Sequence, residues 1–141
     1  MDERLDDDEL RRWQAWKRAT DSVWDQVARA VTLATGLSGP DFSVLTRLVE
    51  EGDGSLRQQR LSDDLRWERS RLSRHLARME QRGLVERSGD TATRLVTATP
   101  EGRALVGPAR AAHAAAVRAA LLTRTNDDPT FWRTVEQLAG R

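Results

Sequence analysis

The sequence predicts a mainly α-helical fold with one small β-hairpin. Long stretches with apolar residues at helical spacing flank a central run of shorter helices. The last of these short helices is basic, and two extended segments, the second rich in β-branched residues, follow it directly. Because the chain has 141 residues, the length of one domain, we expect a single domain over 1–141.

Residues 7–35 predict one long N-terminal helix, which Gly36 is expected to end. Its apolar positions keep helical spacing throughout: Leu10, Trp13, Trp16, Val23, Val27, Val31 and Ala34. This stripe is longer than a small domain normally buries, which suggests a partner chain. The tryptophans fit either the core of such a dimer or the wall of a ligand pocket.

Two short helices joined by a tight turn are predicted in the centre of the chain. A hydroxyl, a proline and an acid at Ser38, Pro40 and Asp41 are typical of a helix start, and that helix runs to about Glu51. A third helix is expected over 58–66, and Trp67-Glu68 forms the turn into a fourth. Two short helices of which the second is basic are typical of a helix-turn-helix.

The fourth helix, over 69–82, carries the residue types that bind DNA. Leu72, Leu76 and Met79 form its apolar stripe, and the remaining face has no carboxylate near its centre. Arginine pairs with guanine edges or phosphates, and glutamine can pair with adenine. The alternative is a solvated basic face on an ordinary amphipathic helix. The candidate DNA-binding residues on this helix are Arg69, Ser70, Arg71, Ser73, Arg74, Ala77, Arg78 and Gln81.

The two segments after Gly83 predict a hairpin with strands near 84–88 and 93–99 and a turn at Gly89-Asp90. A hairpin that directly follows a recognition helix is a wing. Arg87 and Arg94 flank its tip and, with Arg57 before the third helix, complete the candidate DNA-binding set. The alternative is a hairpin that only covers the core, because its tip is not basic.

The C-terminal part predicts two more helices. Thr99 and Pro100 begin one that runs to about Leu122 through an alanine-rich stretch, and Asn126 or Asp127 is expected to cap a short final helix. His113 lies in the alanine-rich helix, where it suits a packed interface or, with Trp13 or Trp16, an effector pocket. His75, at the edge of the fourth helix, is expected on the surface or against a phosphate.

Charge and composition exclude several classes of protein. Net charge is only +1, but residues 57–87 hold nine arginines against five acids, so the positive charge is concentrated on the suspected DNA-binding segment. The chain has no cysteine and two histidines, which argues against thiol chemistry and against a metal site. No catalytic triad spacing or phosphate-binding glycine loop is present, so we expect no enzyme and no cofactor. The N-terminus is acidic rather than signal-like, and a cytoplasmic protein is expected.

The sequence resembles the MarR (multiple antibiotic resistance regulator) family of winged helix-turn-helix transcriptional regulators, particularly its actinobacterial-type members. The matching stretches are LSGPDFSVLTRL at 37–48, LRQQRLSDDLRWERSRLSRHLARMEQRGLVER at 56–87 and TPEGRAL at 99–105. The resemblance implies a winged helix-turn-helix over 37–99 and dimerisation helices over 7–35 and 100–139. It places the major-groove helix at 69–81 and the wing tip at 88–93. The wing lacks the arginine-rich run that is common in the family.

The resemblance implies a homodimer that binds a pseudo-palindromic operator on double-stranded DNA and that a small effector often releases. We expect a transcriptional repressor. The alternative is a protein-interaction module that has kept the winged fold without DNA binding, which the non-basic wing tip motivates. Trp13, Trp16 and His113 are the candidate effector-binding residues. The operator sequence and the effector do not follow from the sequence.

Overall fold

The computed structural model of the protein describes residues 3–140. Within them the chain forms six α-helices and three β-strands, and the predicted fold class is confirmed. The elements are α1 (Asp7–Thr35), α2 (Gly39–Gly52), β1 (Ser55–Arg57), α3 (Gln58–Leu65), α4 (Arg69–Gln81), β2 (Val85–Ser88), β3 (Leu95–Ala98), α5 (Pro100–Val117) and α6 (Pro129–Leu138). A single π-helical turn, Arg118–Leu122, follows α5.

The described residues fall into two compact units. The central unit comprises residues 31–112 and contains the three strands, the helix-turn-helix and the helices that adjoin it. The terminal unit comprises residues 3–30 and 113–140 and contains the first part of α1, the π-helical turn and α6. Each unit is described by itself below.

Helix ends in the central unit follow local chemistry. Gly36 ends α1 with a φ of +76°, a left-handed conformation that glycine adopts without strain. Ser38 then caps α2, since its hydroxyl accepts from the Asp41 N–H at 3.1 Å and the Asp41 carboxylate accepts from the Ser38 N–H at 2.9 Å. This reciprocal capping box fixes where α2 begins.

The sequence predicts a two-stranded hairpin, but β2 and β3 belong to a three-stranded sheet, because β1 pairs with β3. The sheet is antiparallel in the order β1-β3-β2, and Val96 of β3 faces Leu56 on one side and Arg87 on the other. A hydrogen bond of 2.7 Å between the hydroxyls of Ser55 and Thr97 supports the outer pair. The three residues of β1 therefore form an edge strand of the wing sheet.

A continuous apolar core holds the central unit together. Its fully buried side chains come from α2, α3, α4 and the sheet, and include Leu45, Leu48, Leu61, Leu72, Leu76, Met79 and Val96. The start of α5 is joined to this core at Thr99, whose hydroxyl donates to the Gly83 carbonyl at 2.6 Å and accepts from the Gly102 N–H at 3.0 Å. The wing and α4 are thus fixed to one packed body.

The cap of α6 differs from the prediction. Asp128 caps this helix, and its carboxylate accepts from the Thr130 N–H at 2.9 Å. Asn126 and Asp127 instead take left-handed conformations, with φ of 50° and 51°, in the turn before it. The prediction was wrong by one or two residues because all three side chains can cap a helix, and Pro129 in the first turn favours the residue directly before it.

Candidate nucleic-acid interface

The turn that precedes α4 fixes the position of this predicted recognition helix. Arg66 ends α3 in a left-handed conformation with a φ of 55°. The Trp67 N–H donates to the Ser62 carbonyl at 3.2 Å, and the Ser62 hydroxyl donates to the Trp67 carbonyl at 2.7 Å. These bonds close a three-residue turn between α3 and α4, the short connection that is typical of a helix-turn-helix.

Six of the eight side chains predicted on α4 to bind DNA are exposed on its polar face. Leu72, Leu76 and Met79 are fully buried, which turns the opposite face outward. The candidates that are exposed there are Arg69, Ser70, Arg71, Arg74, Arg78 and Gln81, while Ser73 and Ala77 are half-buried. Small residues among guanidinium groups let a helix approach base edges closely, so the geometry suits insertion into a major groove.

An open cleft lies between α3, α4 and the wing tip. It has a volume of about 680 Å³, and two arginines, Arg69 and Arg94, line it. Its other lining residues carry mostly amides and hydroxyls: Gln58, Gln59, Ser62, Ser70, Leu72, Ser73, Thr91 and Ala92. A cleft without carboxylates, lined by guanidinium, amide and hydroxyl donors, suits a phosphodiester backbone.

The wing arginines differ in their surroundings. Arg94 is half-buried at the cleft, and its carbonyl accepts from the Gln58 N–H at 2.8 Å. Arg57, at the start of α3, is exposed but does not line the cleft. The wing tip itself, residues 88–93, is exposed and carries no basic side chain.

The Arg87 side chain is turned toward α4. Its side chain is only 13% exposed, and Nε donates to the Glu80 carboxylate at 2.7 Å. Nη1 lies 3.3 Å from the Ser73 hydroxyl and 3.5 Å from the Gln58 side-chain carbonyl. Arg87 therefore joins β2 to both helices of the helix-turn-helix. A direct contact between Arg87 and DNA stays a prediction.

His75 is not a surface residue, and the prediction for it was wrong. Its side chain is 11% exposed and lies under one flank of α4, where Nε2 is 2.9 Å from Oδ1 of the buried Asp41. The reason is helical spacing: His75 is three residues after Leu72 and four before Met79, so it belongs to the buried stripe. The spacing of His75 from Leu72 and Met79 was therefore enough to predict that His75 is buried.

Asp41 holds the end of α4 as well as the start of α2. Its Oδ2 accepts from Arg82 Nη1 at 2.6 Å, and Arg82 also donates to the Gly36 carbonyl at 3.0 Å. Burial opposes ionisation of Asp41, but the hydrogen bonds from Ser38 and Arg82 outweigh it and lower the pKa of this carboxyl below its ordinary value. Asp41 was missed as part of the site because a helix-capping residue is normally solvated.

The candidate effector residues lie apart from this interface in sequence, on helices of the terminal unit. An apolar groove of about 300 Å³ is lined there by Trp16 and Trp24 of α1, Leu121 of the π-helical turn, and Phe131, Trp132 and Val135 of α6, with Ala19, Thr20 and Val23. The groove includes Trp16, one of the three predicted residues, but its lining does not include Trp13 or His113. The groove offers hydrophobic contact and aromatic stacking.

Residues 3–140 contain no cluster of histidine, aspartate or glutamate side chains suited to a metal ion. Among them there is also no helix that is both long and apolar enough to cross a membrane.

Comparison with known proteins gives a consistent result. Residues 35–94 match the model of the MarR family. Sco3205, a MarR family transcriptional regulator from Streptomyces coelicolor solved in complex with DNA, is 24% identical, with a TM-score of 0.82 over 99% of this chain and 90% of that one. CouR from Rhodococcus jostii RHA1, solved with p-coumaroyl-CoA, is 27% identical, with a TM-score of 0.69 over 87% of this chain and 86% of CouR. A MarR family regulator from Rhodococcus sp. RHA1 is 26% identical, with a TM-score of 0.69 over 97% of this chain and 94% of that one. No curated protein matches the sequence.

Proposed function

We propose that this chain, whose residues 35–94 match the model of the MarR family of transcriptional regulators, binds a specific sequence of double-stranded DNA as a homodimer and represses transcription. The observation that carries the proposal is the outward face of α4. It presents Arg74, Arg78 and Gln81, while the nearby Glu80 is paired with Arg87, on a helix whose other side is fixed in the core. Such a face can both pair with base edges and approach them closely.

Affinity and specificity would come from different residues. Arg69 and Arg94, which line the cleft beside α4, would bind phosphates and supply the larger, sequence-independent part of the affinity. Ser70, Arg74 and Gln81 on the exposed face would select the base sequence. The solved complex of Sco3205 with DNA supports DNA as the partner of this fold.

The proposal of a homodimer is supported by the apolar surface of the terminal unit. Trp24 is 76% exposed, Trp13 51% and Leu138 72%, although side chains of this size are costly to leave in water. A second copy of the same unit would cover them. A two-fold dimer then presents two α4 helices, which is why we propose a pseudo-palindromic operator.

Release by a small molecule is the third part of the proposal. The groove of the terminal unit is lined by indole and phenyl rings and by no charged side chain. An effector that enters it would therefore be aromatic and uncharged where it contacts the groove. CouR, a relative with the same fold, was solved with p-coumaroyl-CoA, which supports a small-molecule ligand in general.

The test is selection of a binding site from a random-sequence duplex pool with the full chain, followed by competition. Enrichment of a sequence with two-fold symmetry, bound at least about a hundredfold more tightly than random duplex, is the expected result. Failure to enrich any sequence at low salt would contradict the proposal. That outcome would favour the second candidate, a winged-helix module that binds proteins, which the exposed and non-basic wing tip also suits.

A further inference from the structure

His75 occupies a bridging position between the core and the exposed face of α4. On one side its Nε2 lies 2.9 Å from Oδ1 of Asp41, although the two atoms do not form a hydrogen bond of regular geometry. On the other side its Nδ1 lies 3.3 Å from Nη2 of Arg78. A buried, titratable ring thus contacts both a buried carboxylate and an exposed arginine of the proposed DNA-binding face.

The contact with Arg78 fixes the protonation state of the ring in the free protein. A guanidinium group can only donate hydrogen bonds, so Nδ1 must accept and carry no proton. The single proton of the neutral ring is therefore on Nε2, facing Asp41. Addition of a second proton would place an N–H and a positive charge against Arg78, so the two groups could no longer hold each other.

A second arginine of α4 is linked to the same ring through Trp67. The indole of Trp67 meets His75 edge-on, with ring centroids 5.8 Å apart and planes at 89°. The guanidinium carbon of Arg71 lies 4.5 Å above the centre of the same indole. One flank of α4 is therefore built in three layers: a buried imidazole, a half-buried indole and two exposed guanidinium groups.

Building on the proposed DNA-binding function, we propose that His75 is a positioning residue that holds Arg78 while it is neutral and releases Arg78 to a DNA phosphate when it gains a proton. Binding of DNA and protonation of His75 then favour each other. Each protomer takes up a proton at Nδ1 as it binds, and affinity for DNA rises as the pH falls.

The charges around the ring also predict that DNA binding strengthens as the pH falls. Burial lowers the pKa of His75 below its ordinary value, Asp41 raises it, and Arg78 and Arg71 lower it further. Arg82, the remaining charged neighbour of this cluster, is paired with Asp41. Phosphates that neutralise Arg78 and Arg71 remove the repulsion on this flank, whereas Asp41 stays in place. The pKa of His75 is therefore higher in the complex than in the free protein, and thermodynamic linkage makes binding stronger at low pH.

The proposal is tested by fluorescence anisotropy with the full chain and a duplex enriched from the random-sequence pool, at fixed salt between pH 5.5 and pH 8.5. For the wild type, we expect affinity to rise as the pH falls, by roughly three- to tenfold per pH unit for each protomer. His75→Gln retains an amide that can donate to Asp41 but does not titrate, so its profile should be flat.

Matched variants separate positioning from simple loss of charge. The chain has only one other histidine, so His113→Gln should keep the wild-type pH profile. Arg78→Ala and Arg74→Ala each remove one exposed arginine of α4 and should both weaken binding. Only Arg78→Ala should also flatten the profile, because only Arg78 contacts His75. Arg78 is on the surface, so this pair of variants remains informative even where His75→Gln is poorly folded.

Calorimetry on the wild type measures the proton directly, from the binding enthalpy in buffers that differ in ionisation enthalpy. Proton uptake near pH 6.5 that Arg78→Ala abolishes supports the proposal. Tight binding with no proton uptake, or a pH profile that Arg78→Ala leaves intact, overturns it while leaving DNA binding in place. Absence of DNA binding at every pH would instead overturn the proposed function.

Discussion

Nη1 of Arg82 lies 2.6 Å from Oδ2 of Asp41, and this ion pair ties the residue after α4 to the first turn of α2. The carboxylate is 1% exposed, whereas the guanidinium is about half exposed. Asp41 also faces His75 and caps α2 together with Ser38. One buried acid therefore sets the position of the recognition helix against the helix that supports it.

The first prediction concerns Asp41→Asn. The pKa of Asp41 is lower in the folded chain than its ordinary value, so ionised Asp41 stabilises the fold above about pH 4, and this stabilisation is lost as the pH falls through the folded pKa. We expect the variant to lose about 2 kcal/mol of unfolding free energy at pH 7, a figure that allows for the solvent exposure of Arg82. Urea denaturation measures it.

The comparison at low pH provides the check on that prediction. The difference between wild type and Asp41→Asn should shrink from pH 7 to pH 3, since the unfolded chain gains a proton at this carboxyl below about pH 4, before the folded chain with its lower pKa does. Asp21→Asn, on the exposed surface of α1, is the control and should match the wild type at both pH values. An equal loss of stability at pH 7 and pH 3 would show that the charge of Asp41 is unimportant.

The second prediction concerns Gly102→Ala in the first turn of α5. A Cβ at this position would lie 2.3 Å from the Leu84 carbonyl oxygen and 3.2 Å from a methyl of Leu45. The backbone oxygen cannot move aside, so α5 must shift away from the turn that follows α4. We expect a loss of about 1–3 kcal/mol in thermal or urea unfolding. Gly107→Ala, where a Cβ has no neighbour within 4 Å, should cost nothing or stabilise the helix slightly.

The third prediction separates the two wing arginines. Arg87 is bonded to Glu80 and lies against Ser73, so Arg87→Met should weaken DNA binding by misplacing α4 and leave the salt dependence unchanged. Arg94 lines the cleft, so Arg94→Ala should weaken binding to all duplexes and lower the slope of log K against log salt by about 1 per protomer. A reduced slope for Arg87→Met would instead identify Arg87 as a phosphate contact.

The fourth prediction concerns the proposed dimer. Trp24 is the most exposed tryptophan of those on α1, so Trp24→Glu should place a charge in the interface between two copies. We expect the dissociation constant of the dimer, measured by analytical ultracentrifugation, to rise by about tenfold or more. Arg18→Glu, a charge change on the opposite side of α1, is the control. Unchanged association of the Trp24 variant would exclude this surface as the interface.

Local sequence pattern predicted much of the fold. Apolar spacing placed the recognition helix at 69–82, and the structure has it at Arg69–Gln81; glycine and β-branched residues located the hairpin. The third strand could not be predicted with its register, because the pairing of Ser55 with Thr97 joins residues 42 apart in sequence. Local patterns carry no information on such pairings.

The site was predicted less completely than the fold. The exposed residues of α4 followed from helical periodicity, because one buried stripe determines the opposite face. The partners of Arg87 and His75 could not be predicted from periodicity, because these contacts depend on how β2 and α2 pack against α4. Residue type also misled for His75: a histidine in a basic segment suggests contact with a phosphate, but its side chain is buried against Asp41.

The central claim, that the face of α4 binds a specific DNA sequence through arginines, is tested most directly by the salt dependence of binding. Fluorescence anisotropy with the selected duplex at 50 and 200 mM salt, with random duplex as competitor, should show affinity falling about a thousandfold or more for a dimer with 6–10 phosphate contacts. Arg74→Ala should lower the preference for the selected duplex, whereas Arg110→Ala, an exposed arginine of α5 paired with Glu50, should not. Binding that is insensitive to salt, or a preference that survives Arg74→Ala unchanged, would contradict the account.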